Sequence, residues 1–190
     1  GYELPTVNVN TTGTIAGKIE VSESISNNLN ISGGTFTVEI KEAWCANGFI
    51  PKDNGNGTWT VKEGQYVARN TTTGQGYETL VEAVEAAAAD QEVKLLANVT
   101  LASSLNVNRN VVLDLNGKKI SSTVTRAIHV ANASLTINDV AENSGMVTTT
   151  GNAALLVGEN ATLVVNGGTI KAQGAIMGNG QYNGTNITIN

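Results

Sequence analysis

Charge is scarce in this chain of 190 residues: only 14% of side chains are charged, 11 basic against 16 acidic, for a net charge of −5 and a sequence pI near 4.8. A nucleic-acid partner needs a basic face for phosphate, and this composition excludes one as the default. Cys45 is the single cysteine, so no intrachain disulfide and no cysteine-based metal site can form. Aromatic residues make up 4% and proline occurs twice, which argues against a core built around one bulky centre. No apolar run reaches the ~18 residues of a membrane span, so no membrane insertion is expected in this segment. The opening residues, 1–12, lack the basic and apolar regions of a signal peptide. The chain stops within the strand-like Ile187-Thr188-Ile189-Asn190, which reads as a module cut short within a longer protein.

What is present is 41% hydrophobic residues, 21 glycines, and Asn, Thr, Val, Ile and Leu in almost every stretch. Enough apolar surface exists to fold, and the small β-formers suit many thin equivalent layers. One phrase recurs: apolar, any residue, apolar, Asn. It occurs as Leu113-Asp114-Leu115-Asn116, Leu135-Thr136-Ile137-Asn138, Leu163-Val164-Val165-Asn166 and Ile187-Thr188-Ile189-Asn190, with starts 22, 28 and 24 residues apart. The front of the chain carries the same pattern as Val7-Asn8-Val9-Asn10 and Leu29-Asn30-Ile31-Ser32. A second phrase, Ala127-Ile128-His129-Val130, returns at Ala154 and Ala175, and a third, Gly145-Met146-Val147, returns at Gly168 and Gly34. Three short strands per period of 22–28 residues is one coil of a solenoid.

Strand alternation sends Leu113, Leu115, Leu163 and Val165 inward and makes an outward row of Asp114, Thr136, Val164 and Thr188. Asn tolerates left-handed backbone at corners, so Asn116, Asn138, Asn166 and Asn190 are expected to stack as an amide ladder. Residues 37–64 read as an excursion with a hairpin at Asn54-Gly55-Asn56-Gly57. Residues 78–90 carry helical spacing in Leu80, Val81, Val84 and Ala87, and such a helix can plug the open end of a solenoid.

Several of these stretches resemble right-handed parallel β-helix modules of pectate-lyase-like fold, repeated in large bacterial cell-surface proteins. The matching residues are 76–84 (GYETLVEAV), 93–100 (VKLLANVT) and 112–120 (VLDLNGKKI), with similarity also at 32–36 and 56–61. The departure is Asp90-Gln91-Glu92-Val93, where the family usually has Gly-Asp-Thr-Ile. The expected architecture is an all-β solenoid, a right-handed parallel β-helix with one capping α-helix (about 78–90). Residues 1–64 form terminal coils and a hairpin-like excursion, and 65–190 the capped β-helix module. The resemblance implies an extracellular, cell-surface or secreted location and a spacer or adhesin-like part. Its implied partners are neighbouring modules of the same chain, or a glycan or host-surface protein.

The rival expectation is a polysaccharide lyase or hydrolase, which needs convergent carboxylates. Asp139 and Glu159 fall at turns, and Asp114 is the only acid in the outward row. His129, the single histidine, has Arg126 nearby but no nucleophile or paired acid. No catalytic residue, metal ligand or cofactor is therefore assigned. Trp44 and Trp59 are candidates for stacking on sugar rings, with sealing a joint as the structural alternative. The open strand edges at the two ends suggest head-to-tail self-association.

Overall fold

The computed structural model describes residues 5–21, 28–141, 144–178 and 183–190. The chain divides into two compact units, Gly1–Gln65 and Tyr66–Asn190.

In the first unit, β1 (Val7–Val9) and β2 (Thr14–Ile15) are followed by β3 (Leu29–Ile31) and β4 (Thr35–Phe36). The strand β1 pairs in parallel with β3, and β2 with β4, so two successive passes of chain stack in register. Gly34, at φ 110°, makes the corner before β4; a Cβ there would stand 2.9 Å from Thr11 Cγ2. The strands β5 (Phe49–Asp53) and β6 (Trp59–Glu63) form an antiparallel hairpin that joins β4 through β6. Its turn carries Gly55 and Gly57 in left-handed conformation, and the Asp53 carboxylate accepts the Gly55 N–H at 2.8 Å. The core of this unit is Leu29, Ile31, Phe36, Ile40 and Val61.

The second unit is a β-solenoid. It opens with the antiparallel pair β7 (Ala68–Asn70) and β8 (Gly76–Tyr77), then α1 (Leu80–Ala86). Four rungs of three strands follow. They are β9 (Gln91–Leu95), β10 (Val99–Leu101) and β11 (Leu105–Val107); then β12 (Val111–Asp114), β13 (Lys119–Ser122) and β14 (Arg126–Val130). Next come β15 (Ser134–Asn138), β16 (Met146–Thr149) and β17 (Ala153–Val157), and finally β18 (Thr162–Val165), β19 (Thr169–Lys171) and β20 (Gly174–Gly178). A fifth rung begins with β21 (Asn186–Ile189). Corresponding strands stack in parallel into three sheets, one of them extended by β7 and β8 at its first edge. Leu113, Leu135, Leu163, Ile128, Leu155 and Val147 fill the interior. β-branched and leucine side chains in register along a pleated wall make each rung bury the face of the next.

The helix is shorter than the 78–90 expected. Thr79 caps it by accepting the Glu82 N–H at 3.1 Å, and Leu80, Ala83 and Val84 turn into the core. It ends at Ala86 because Ala87 is extended (φ −64°, ψ 131°) and Asp90 is left-handed at φ 63°. The Asp90 N–H bonds to the Asn110 carbonyl at 3.0 Å and the Ala88 N–H to Gln91 Oε1 at 2.9 Å, so the alanines that favour helix are drawn into the corner that starts β9. Local propensity yields there to rung pairing.

Candidate functional site

The register corrects the expected asparagine ladder. Leu113 pairs with Ile137, not Leu135, so Asp114 lies beside Asn138, and Lys94 beside Asp114 on the other side. Asn138, Asn166 and Asn190 do align: Asn166 Nδ2 donates to Asn138 Oδ1 at 2.9 Å, and Asn190 Nδ2 to Asn166 Oδ1 at 2.7 Å. Asn116 stands outside that column. At φ 47°, followed by Gly117 at φ 71°, it carries a tight corner and sends its Nδ2 to the Leu95 carbonyl at 2.8 Å. The outward row shifts with it to Val112, Thr136, Val164 and Thr188. Asp114 is not in that row.

A second amide pair escaped the sequence reading. Asn132 (φ 51°) and Asn160 (φ 46°) sit at the corners before β15 and β18, with Asn160 Nδ2 donating to Asn132 Oδ1 at 3.3 Å. The signal was there in the repeated Asn-Ala-Ser/Thr-Leu of residues 132–135 and 160–163.

The carboxylates that a lyase or hydrolase reading would use are engaged with main chain. Asp139 is buried; its Oδ1 accepts the Gly117 N–H at 2.7 Å and its Oδ2 the Gly145 N–H at 2.6 Å. Asp114 is 1% exposed, accepts the N–H groups of Asn116 (2.9 Å) and Val140 (3.3 Å) on Oδ1, and faces Lys94 Nζ at 3.6 Å through Oδ2. Each thus closes a corner between rungs. Glu159 is exposed, and its carbonyl receives the Asn132 N–H. Among the described residues no group of three or more His, Cys, Asp or Glu side chains is placed to hold a metal ion.

Trp44 and Trp59 are half-buried against the core of the first unit. Trp44 ends a short 3-10 turn, Glu42–Trp44, and has Lys41 Nζ 5.1 Å from its ring centroid; Trp59 pairs with Phe36 across β4 and β6. Cys45 is half-buried, and burial, followed by the charge of Glu42, pushes its thiol up to about 11.

No family model, curated protein or solved structure matches the chain.

One wall of the solenoid, made of β11, β14, β17 and β20, holds a cleft of about 470 Å3 on its outer side. Arg126 and Asn152 stand at it with exposed side chains, beside Leu156 and Met177. His129 belongs to the same outward row as Leu156 and Met177. Its imidazole is held below the ordinary histidine range, first by partial burial and then by the Arg126 charge.

Proposed function

We propose that the chain is a non-catalytic segment of an extracellular surface protein, serving as a rigid spacer or adhesin-like module whose outer walls meet a glycan or a host protein. One observation carries this reading: Asp114 and Asp139 bind backbone N–H groups at the corners. Carboxylates held in this way clamp successive rungs and are poorly placed for proton transfer to a sugar. Rigidity follows from continuous parallel pairing down three walls, reinforced by amide ladders. The extracellular placement is supported by the resemblance to surface-protein modules alone. The same reading includes neighbouring modules, or a second copy, as head-to-tail partners.

The test is a polysaccharide-degradation screen run with a glycan array on one preparation. Binding without turnover is the expected result. Cleavage of an acidic polysaccharide that is lost in a folded Asp114→Asn protein would replace this reading with that of a lyase or hydrolase.

A further inference from the structure

The cleft on the third wall has a specific cause. In β14 the outward residues are Arg126 and His129, and between them Ala127 and Ile128 both turn into the core. The next two rungs repeat this: Arg126 aligns with Ala153 and Gly174, and His129 with Leu156 and Met177. Two outer rows are therefore spread apart, one of them reduced to Ala and Gly above Arg126. Ala153 is itself fully covered, and the cleft opens beside it among Arg126, Asn152, Ile176 and Met177. Met177 lies across it: a Cβ on Gly174 would stand 2.4 Å from Met177 Cε, so the thioether arm occupies the place that glycine leaves empty. Met177 is 39% exposed, while Leu156 on the same outward row is only 7% exposed beneath its neighbours.

The polar end of the cleft is as one-sided as its floor. Among the described residues no carboxylate lines it, although acids outnumber bases in the chain. Among the described residues the Arg126 guanidinium has no ionic or hydrogen-bonding partner. Thr125 and Asn152 stand beside it as neutral polar groups. A planar guanidinium presents a fork of N–H donors matched to a carboxylate, and one cation with neutral flanks balances one negative charge better than two.

We infer that this cleft is a binding site for an organic carboxylate on a short branched apolar group, with the carboxylate on Arg126 and the apolar part against Ala153, Leu156 and a displaced Met177. The volume falls within the range of small-molecule sites. A flexible, polarisable methionine gives way to such a group at low cost. This inference rests on the reading of the wall as a binding surface without turnover.

The probes are 4-methylpentanoate and its amide, titrated into the whole chain labelled with 13C at methionine and leucine methyls. The acid is expected to shift Met177 Cε and Leu156 with a Kd of about 1 mM, and the amide to bind about tenfold more weakly. Arg126→Gln is expected to weaken the acid about tenfold with an unchanged melting curve, because the side chain is exposed. Arg126→Lys should restore part of the loss. Equal binding of acid and amide, no shift at Met177 up to about 50 times that Kd, or an Arg126→Gln protein that binds like the parent would each overturn the site. An acetylated leucine-terminated peptide in a third arm distinguishes a peptide C-terminus from a free acid as the source of the carboxylate. Proton spectra of the same tubes report consumption of probe, so turnover would remove the non-catalytic reading while leaving the binding result intact.

Discussion

Asp114 and Asp139 are both buried acids at corners, yet their replacement by the amide should have different costs. Asp139 uses one oxygen for Gly117 and the other for Gly145; in Asp139→Asn one of these N–H groups must face an NH2 donor. Leaving a buried donor unsatisfied costs about 1–3 kcal/mol, which urea denaturation of the variant should read directly. Asp114 accepts both its N–H groups on the same oxygen, so the amide keeps them and gives up the contact with a partly exposed Lys94. Asp114→Asn keeps both main-chain bonds but turns a buried NH2 toward the Lys94 ammonium, so it is expected to destabilise less than Asp139→Asn, and a larger loss than that of Asp139→Asn would refute the assignment. His129 supplies a pH signature. Its folded pKa lies below the ordinary 6.5, so the unfolded chain binds the proton more readily, and stability falls as the pH drops through 6.5, levelling off below the folded pKa. With only one histidine in the chain, His129→Gln should flatten that part of a melting-temperature profile between pH 7.5 and 5.5.

At the scale of strands and corners, three recurring phrases were enough to read a solenoid, its three strands per coil and its interior Leu and Val. The apolar-x-apolar-Asn phrase misjudged phase in one rung. In β12 the phrase begins two residues later relative to the backbone, because Leu115 continues inward past Asp114 and the corner falls on Asn116 and Gly117. The letters repeat although the backbone positions do not, and no single-chain pattern separates the two. The outer cleft was illegible for a related reason: it comes from two consecutive inward residues, Ala127 and Ile128, which break strict alternation. Gly145 tests the corner geometry. A Cβ there would lie 2.6 Å from Leu115 Cβ and 2.9 Å from the Asp139 carboxylate, so Gly145→Ala should lower stability by about 1–3 kcal/mol through overpacking. Chemical denaturation with an unchanged m-value would identify that cause, and a neutral variant would mean that the corner is looser than described.

For the molecule as a whole, the two strand edges carry the association prediction. The strand β21 pairs with β18 and leaves Ile187 and Ile189 42% and 66% exposed. In the first unit β1 pairs with β3, and an apolar groove of about 240 Å3 opens among Val7, Ile15, Leu29 and Phe36. Parallel edges with matching apolar spacing invite strand addition, so sedimentation velocity is expected to show reversible, concentration-dependent association that Ile189→Lys abolishes. A concentration-independent monomer would remove the idea. The rungs differ in contour length while their pairing stays in register. Val111 aligns with Leu135, 24 residues on, and Leu135 with Leu163, 28 residues on, the difference being taken up outside the ladder. Contour length at the corners is thus uncoupled from the spacing of the walls. Loop length in this fold is a variable of its own, as a ruler can carry marks of different size without changing its scale.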